Sequence, residues 1–297
     1  MRIGIVGGTG FIGRSLGQEA RKRGHSVVVF SRRKELSLSW AEEVRPLHQE
    51  GIALDPAGLD VLINLAGDNV FGLWTSAKKK RIRDSRVDLT NRIVDALKEC
   101  SDRPRTFICA SGSGAYGNRG DEILTEDSSR GAGFLAEVCA DWEAAANRVQ
   151  ALGMRVVLLR TGMVLGQDGA AWPMLRRVFS FCLGGRLGDG RQWVPWIHLD
   201  DEVGIILHTL ENQSISGPVN LVSPDPVTNA ELTKAIARTV RRPAIFHAPA
   251  FALKFALGGF GSVLLDSQRL QPQAALSAGY EFIHPNLDGA LAALHPF

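Results

Sequence analysis

Short apolar runs alternate with longer stretches of helical periodicity through the first half of the chain. Between the runs, apolar residues recur every three or four positions, as within residues 75–99, which predicts helices. Strands that alternate with helices form parallel sheets with right-handed crossovers. The pattern therefore predicts an α/β fold, a Rossmann-like doubly wound parallel sheet. Five apolar runs are the predicted buried strands: residues 3–6, 27–30, 60–67, 106–110 and 155–159.

The second half of the chain changes character and predicts a smaller, mainly helical C-terminal lobe. Thr228 or Asn229 is suited to cap the first helix of that lobe. We expect a Rossmann domain over residues 1–225, with residues 166–195 contributing to a substrate lobe, and a small domain over residues 226–297. The other predicted elements are an irregular stretch with a short third strand over 34–56, a helix over about 135–152, turns over 184–192, an extended segment over 193–199, a helix over 200–210 and a strand over 219–222.

The first strand and helix are joined by glycines spaced G-x-x-G-x-x-G. Glycine lets the main chain approach a pyrophosphate at the start of a helix, where free N–H groups and the helix dipole favour an anion. The triplet follows a strand and opens a helix within about 30 residues, which is the context that a dinucleotide fingerprint requires. A plain strand–helix turn is the alternative. We predict cofactor contacts from this loop: Gly7, Thr9, Gly10, Phe11, Ile12 and Gly13.

The end of the second strand distinguishes between two cofactors. A carboxylate there would bind the ribose 2′-hydroxyl of NAD, but this chain has Ser31, Arg32 and Arg33. Arginine matches a 2′-phosphate in charge and in its planar donor geometry. The sequence therefore predicts NADP(H), and the alternative is a solvated strand end.

Other strand ends complete a predicted crevice. In doubly wound sheets, ligands bind beyond the carboxyl ends of the strands. That rule brings residues 65–69, 111–116 and 160–165 together with the glycine loop. Four more cofactor contacts are expected there: Leu65, Ala66, Gly67 and Arg160.

Composition restricts the remaining classes only weakly. The 297 residues are 45% hydrophobic and 22% charged, which is ordinary for a globular enzyme, and a net charge of +3 is too small to argue for nucleic acid. Four scattered cysteines fit a reducing cytosol and argue against a zinc cluster. No signal peptide precedes the first strand, and no apolar run has the length of a membrane span. We expect a cytoplasmic protein with no metal, nucleic-acid or membrane partner, and a homodimer is left open.

Several motifs resemble the extended short-chain dehydrogenase/reductases: the glycine loop and residues 64–67, 111–117 and 160–166. Other stretches are similar to a subgroup named epimerase family proteins, sometimes cell-division inhibitor homologues, which ends in a domain of unknown function. The resemblance runs nearly end to end, implies cofactor binding and is silent on substrate. The stretches that carry the subgroup resemblance are 74–75, 85–87, 134–139, 141–143, 190–192, 196–198 and 267–269.

The mechanism that the resemblance implies uses a Tyr-x-x-x-Lys pair and a serine. The lysine lowers the pKa of the phenol, and the tyrosine moves a proton while hydride moves to or from the cofactor. This chain lacks the pair, because Tyr116 has Gly120 four residues on and Tyr280 has His284. The helix that should carry it reads FLAEVC at residues 134–139, with no proton donor and no cation in either register.

Other side chains are candidates to replace the missing pair. Ser111 and Ser113 flank the position of the family's serine, and Tyr116 matches the tyrosine of its Val-Tyr-Gly segment, which in relatives lies near the substrate. We take Ser111 and Tyr116 as the candidate catalytic residues, although Ser111 could equally be a turn residue. Three carboxylates are further candidates, with caps or surface charges as the alternative: Asp68, Glu126 and Glu137.

Two other features favour structural roles. The basic run at residues 78–81 has no interleaved aromatic residues, so a solvated helix start fits it better than a nucleic-acid patch. His198 lies beside Asp200 and Asp201, but no third metal ligand stands at a useful spacing.

Two functions compete. One is an NADP(H)-dependent oxidoreductase or epimerase that acts on an unknown small polar substrate with a nonstandard acid. The other is a non-catalytic NADP(H)-sensing regulatory or interaction protein. The missing pair favours the second, whereas the strand-end loops and the segment from Arg191 to His198 favour a substrate pocket.

Overall fold

A computed structural model of the chain describes residues 1–33 and 36–294. The first two residues of the predicted irregular stretch 34–56 and the last three of the predicted C-terminal domain lie outside the described residues.

The described chain folds around a seven-stranded sheet in which every neighbouring pair is parallel. The spatial order is β7-β6-β5-β4-β1-β2-β3, so the chain leaves from the centre first to one edge and then to the other. This is the predicted doubly wound arrangement. The strands are β1 Arg2–Val6, β2 Ser26–Ser31, β3 Glu43–Pro46, β4 Val61–Asn64, β5 Thr106–Gly112, β6 Arg155–Thr161 and β7 Gly217–Leu221.

Helices cover both faces of the sheet and build most of the C-terminal part. They are α1 Phe11–Lys22, α2 Ser76–Asp84, α3 Val87–Glu99, α4 Phe134–Asn147, α5 Ala171–Ser180, α6 Leu199–Glu211, α7 Asn229–Val240, α8 Ala250–Leu257, α9 Gly259–Val263, α10 Gln273–Ser277 and α11 Leu287–Leu294. Two 3-10 helices span Ser113–Tyr116 and Arg148–Leu152. None of the described helices is long and apolar enough to cross a membrane.

Within the described residues, four pairs of short strands lie outside the central sheet. Three are parallel, and the pair of Trp193–Val194 with Val227–Thr228 is antiparallel. Three of the four pairs join a segment after residue 225 to an earlier part of the chain. The parallel pairs are Met163–Leu165 with Trp196–His198, Gly185–Leu187 with Phe246–Ala248, and Ile123–Leu124 with Arg269–Leu270.

Alternation along the strands assigns side chains to two separate cores. Ile3 and Ile5 of β1 pack with Leu16 of α1 and with α6, whereas Val6 packs on the opposite face with α3 and α4. A third core in the C-terminal part is built around Trp172. The period of two in the strands therefore fixes which helices cover each face.

The helical periodicity predicted over residues 75–99 is present, and it is divided between two helices, α2 and α3. The chain turns at Ser85 and Arg86, where the Ser85 hydroxyl accepts the backbone N–H of Asp68 at 2.9 Å. The Arg86 guanidinium donates to the carbonyl oxygens of Ile82 and Asp68, at 3.1 and 3.0 Å. These long-range bonds hold the loop after β4 and interrupt the helix.

The predicted cap of the C-terminal helix is confirmed. The Thr228 hydroxyl accepts the N–H of Glu231 at 3.3 Å, and the Glu231 carboxylate accepts the N–H of Thr228 at 2.7 Å. This reciprocal pair is a capping box, which satisfies two backbone donors at the start of α7.

Candidate functional site

The glycine loop joins β1 to α1 at the centre of the sheet. Gly7 has a φ of +84°, and a Cβ atom placed there would lie 3.0 Å from the backbone nitrogen of Ala66. A Cβ atom at Gly13 would lie 2.3 Å from the carbonyl oxygen of Gly7. These two positions require glycine because backbone segments approach each other closely.

Gly10 differs from the other two glycines. Beyond its chain neighbours, a Cβ atom at Gly10 would meet only the carbonyl oxygen of Gly7, at 3.1 Å, among the described residues. Gly10 is the N-cap of α1, and no side chain caps that helix. The first N–H groups of α1, from Phe11 to Gly13, therefore have no capping side chain, which is the arrangement of an anion site.

The end of β2 lies beside this loop. The Ser31 side chain is buried and its hydroxyl accepts the backbone N–H of Arg33 at 3.0 Å. Arg32 and Arg33 are exposed beyond the strand end. The two guanidinium groups are thus accessible to an anionic ligand on the same side of the sheet as the glycine loop.

The backbone after β4 forms the next part of the crevice. Asn64 is fully buried, and its amide oxygen accepts the N–H of Ala66 at 3.2 Å. A Cβ atom at Gly67 would lie 3.1 Å from the guanidinium carbon of Arg86. Burial lowers the pKa of Arg86, and the two carbonyl bonds described above hold its guanidinium in place. Residues 65–67 are therefore held from both sides.

Ser111, at the end of β5, belongs to a buried charged cluster. Its hydroxyl donates to Glu143 Oε1 at 2.7 Å. Arg160 Nε donates to the same oxygen at 2.9 Å, and Arg130 Nη2 lies 2.6 Å from Glu143 Oε2. Ser111 and Arg160 are opposite each other in the register of β5 and β6, so the sheet itself places both beside α4.

Tyr116 is connected to the same cluster through Arg160. Its hydroxyl donates to the side-chain oxygen of Asn220 at 2.7 Å and accepts from Arg160 Nη1 at 2.9 Å. Burial raises the pKa of the phenol. Because the phenol uses its proton and one lone pair in these two hydrogen bonds, Tyr116 holds Arg160 and β7 in place.

The three carboxylates considered from the sequence lie in different surroundings. Glu126 Oε1 accepts the N–H groups of Asn220 and Ala274 at 2.9 and 3.1 Å, and burial raises its pKa. Glu137 is exposed in the first turn of α4. Asp68 is part of a surface ion-pair group. Of the three, Glu126 touches the Ser111 cluster, because Arg160 Nη1 donates to its main-chain carbonyl oxygen at 3.3 Å.

The basic run of α2 is engaged in ion pairs. Lys78 Nζ and Arg81 Nε lie 3.1 and 3.6 Å from Asp68 Oδ2, and Arg83 pairs with Asp141 at 2.6 Å. Cations that are neutralised by neighbouring carboxylates support the solvated-helix interpretation over a nucleic-acid patch.

An aromatic wall occupies the positions where the missing Tyr and Lys would stand. Phe134 packs edge-on against Trp74 with ring centroids 5.1 Å apart, and Phe260 of α9 lies 6.0 Å from Trp74. Leu135 approaches Gly114, where a Cβ atom would be 2.8 Å away. Burial raises the pKa of the Cys139 thiol to about 11, so this group is neutral at physiological pH.

His198 has an imidazole neighbour, His284, which the sequence did not suggest, besides the acidic residue Asp200. His198, Asp200 and His284 approach one another, and the two imidazole centroids are 3.9 Å apart. His198 Nδ1 accepts the backbone N–H of Asp200 at 3.1 Å, which puts the proton of the neutral ring on Nε2. One ligand atom from each of these three residues lies within 4.8 Å of the others, so His284 is the third possible metal ligand that the sequence spacing did not show, and the expectation of no metal stays a prediction.

Comparison with known proteins identifies the family. A sequence profile of the NAD dependent epimerase/dehydratase family matches residues 3–222. The chain belongs to this family. A second profile, a domain of unknown function called DUF1731, matches residues 248–294. The resemblance to extended short-chain dehydrogenase/reductases with an added C-terminal domain is thereby confirmed.

Relatives align over nearly the whole chain. The epimerase family protein ML0860 of Mycobacterium leprae is 40% identical over 98% of this chain and 94% of its own. The epimerase family protein YfhF of Bacillus subtilis is 35% identical over 99% and 98%. The crystal structure of the human epimerase family protein SDR39U1 with NADPH matches at a TM-score of 0.92, with 31% identity over 99% of both chains.

Sequence reasoning missed Glu143, which holds the centre of the buried cluster. One signal could have found it: Arg160 interrupts an otherwise apolar strand, and a buried cation requires an anion. A search of the helices for that anion would have reached α4, where Glu143 is one of three carboxylates, with Glu137 and Asp141. The contribution of Phe260 carried no comparable signal, because it depends on how the C-terminal part packs.

Proposed function

We propose that this chain binds NADP(H) in the crevice and uses it in an oxidoreductase or epimerase-type reaction on a small polar substrate. The observation that carries the proposal is the uncapped start of α1 beneath the open face of Gly10. A pyrophosphate needs backbone N–H donors and close approach, and this loop offers both. The NADPH found in the human relative supports the same assignment.

The remaining cofactor contacts follow from the order of the strands. Thr9, Phe11 and Ile12 lie at the start of α1, beside the pyrophosphate position, and the backbone of residues 65–67 lies one strand further along the sheet. Arg32 and Arg33 are exposed at the end of β2, where a ribose 2′-phosphate would lie. Their charges and donor geometry favour NADP(H) over NAD(H).

The bound nicotinamide would supply or accept the hydride, and side chains of the protein would bind the substrate oxygen that gains or loses a proton. Ser111 donates its single proton to Glu143, so toward a substrate its oxygen is an acceptor. Ser111 can therefore accept a hydrogen bond from a substrate hydroxyl. Tyr116 acts through Arg160, which it helps to hold against Glu143. In this proposal Ser111 is the catalytic residue and Tyr116, with Arg160, is a positioning residue.

A second candidate function is a non-catalytic NADP(H) sensor. The aromatic wall of Phe134, Trp74 and Phe260 favours it, because that wall supplies no proton donor at the position of the missing pair. In that case the bound nucleotide would change how Phe260 and α9 pack against Trp74 and Phe134.

Titration with NADPH, followed by turnover assays on small alcohols and carbonyl compounds, separates the two functions. For the enzyme, we expect saturable binding and oxidation or reduction of the nicotinamide that falls strongly in Ser111→Ala. Ser113→Ala, two residues away in the following 3-10 helix, is the matched control. Binding without turnover on any compound would favour the sensor, and absence of binding would overturn both.

A further inference from the structure

Exposed large hydrophobic side chains are concentrated in one part of the surface. Two segments, residues 174–186 and 241–257, are here called the cationic apolar face. Phe251 and Phe255 stand one turn apart on α8 and are 76% and 93% exposed. None of the eight residues of α8 is buried, although the helix is almost entirely apolar. Six further large hydrophobic residues of this face are exposed: Met174, Val178, Phe181, Leu183, Ile245 and Phe246.

Strand pairing joins the two segments into one surface. Gly185 is opposite Phe246 in a parallel pair, and the N–H of Phe246 donates to Gly184 at 3.3 Å. The N–H of Gly188 donates to Ala248 at 2.9 Å, two residues before α8 begins. The end of α5, this ribbon and α8 are therefore continuous.

The two segments themselves carry charge of one sign, and Asp266, which interacts with Lys254, lies outside both. No aspartate or glutamate occurs within residues 174–186 or 241–257, whereas the whole chain has 31 acidic and 34 basic residues. A cavity of about 420 Å³ beside α5 is lined in part by Arg176, Arg177 and Phe181. The basic residues of the face are Arg176, Arg177, Arg186, Arg241, Arg242 and Lys254.

These features favour one occupant over two others. A second copy of the chain in a two-fold contact would place the same cations against each other. A protein partner would have to take the basic residues of this face out of water, whereas lipid phosphates meet them in a hydrated interface. Protruding phenylalanines among basic residues match the boundary between the headgroups and the acyl chains of an anionic bilayer.

We propose that the cationic apolar face binds the surface of anionic membranes. Phe251 and Phe255 enter the headgroup boundary, and the surrounding arginines and Lys254 lie among lipid phosphates. This proposal departs from the sequence-based expectation of no membrane partner, which rested on the lack of an apolar run of spanning length, whereas an interfacial surface needs no such run. Binding at this face would hold the C-terminal part, and with it the crevice of the sheet, at the membrane surface.

Co-sedimentation with vesicles tests the proposal. We expect binding to phosphatidylcholine vesicles that contain phosphatidylglycerol, little binding to phosphatidylcholine alone, and loss of binding as salt is raised. Arg176→Gln/Arg177→Gln should weaken binding about 25-fold, since each basic side chain near an anionic surface contributes about fivefold. Phe251→Ser/Phe255→Ser should weaken it without changing the salt dependence.

Ile52→Ser/Ile283→Ser is the matched control, because both side chains are exposed and lie outside the face. Thermal unfolding is measured for every variant, and a midpoint equal to that of the parent shows that the variant is folded. Three results would overturn the proposal: no binding to anionic vesicles, equal losses in the control variant, or a concentration-dependent dimer that is abolished by Phe251→Ser/Phe255→Ser while vesicle binding is unaffected.

Discussion

Arg160 holds both carboxylate oxygens of Glu143, with Nε to Oε1 at 2.9 Å and Nη2 to Oε2 at 3.0 Å. Both residues are buried, at 4% and 1% exposure. Burial alone would raise the pKa of Glu143, but the hydrogen bonds and charge of Arg160 outweigh it and the pKa is lowered. The pair therefore remains charged beneath the strand ends and fixes Ser111 from below.

Glu143→Gln should destabilise the protein by about 3 kcal/mol, because removing one partner of a buried pair leaves the other charge uncompensated. Urea denaturation measures the change. Glu137→Gln, on the exposed side of the same helix, should change the free energy of unfolding by less than about 0.5 kcal/mol. Similar effects of the two substitutions would show that the pair contributes little.

Arg32→Ala/Arg33→Ala should reduce the preference for NADPH over NADH. A charge-assisted contact to the 2′-phosphate is worth about 1.5–3 kcal/mol, so the preference of the parent should be on the order of tenfold or more. Fluorescence titration with both nucleotides measures it. Arg21→Ala/Lys22→Ala, at the far end of α1, should keep the preference, and equal affinities in the parent would refute the assignment.

Gly10→Val should lose NADPH binding, whereas Gly13→Ala should lose stability. Gly10 has ordinary angles, φ −76° and ψ 177°, so valine fits the fold but occupies the space that a pyrophosphate needs. Gly13→Ala brings a methyl group against the backbone of Gly7 and should cost about 1–3 kcal/mol of stability. Thermal unfolding and NADPH titration separate the two effects. Normal NADPH binding by a folded Gly10→Val variant would exclude this loop as the phosphate cradle.

Local sequence patterns predicted the parts of the candidate site that are formed by residues close together in the chain. The glycine loop, the end of β2 and the strand order follow from periodicity and from the spacing of residues 7–13, because each depends on neighbours within one β–α–β unit. The capping box at Thr228 is likewise local. These predictions needed no knowledge of distant contacts.

The rest of the site depends on contacts between distant parts of the chain. Tyr116 and Asn220 are 104 residues apart, and the aromatic wall combines Trp74, Phe134 and Phe260 from three segments. No local pattern encodes such contacts. The break between α2 and α3 was missed for the same reason, since Arg86 is drawn to a carbonyl in another loop.

Glu202 should make stability depend on pH. It is buried on α6, where Thr161 donates to Oε1 at 2.9 Å, and burial raises its pKa to about 8. Between its ordinary pKa of 4.5 and about 8, the folded state keeps a proton that the unfolded state has lost. This contribution is therefore present in full below pH 4.5 and is lost as pH rises to about 8.

Glu202→Gln, which resembles the protonated carboxyl, should remove that pH dependence and be more stable than the parent at pH 9. The slope removed should approach about 1.4 kcal/mol per pH unit. Urea denaturation across the range measures it. Glu211→Gln, exposed on the same helix, should retain the parental slope, and an unchanged slope in Glu202→Gln would show that the carboxyl is ionised in the folded protein.

The last prediction concerns the reaction. We expect negligible turnover of the nucleotide sugars that ordinary extended relatives use, because those reactions need a phenol made acidic by a neighbouring cation. General acid–base help of that kind is worth about 10²–10⁴-fold. Tyr116 cannot supply it without breaking its bond to Asn220, and Phe134 and Leu135 fill the usual position. Residual turnover of small carbonyl compounds should fall in Ser111→Ala and, through Arg160, in Tyr116→Phe. NADPH oxidation and epimer analysis measure both, and ordinary nucleotide-sugar rates, undiminished in the two variants, would mean that another acid serves this site.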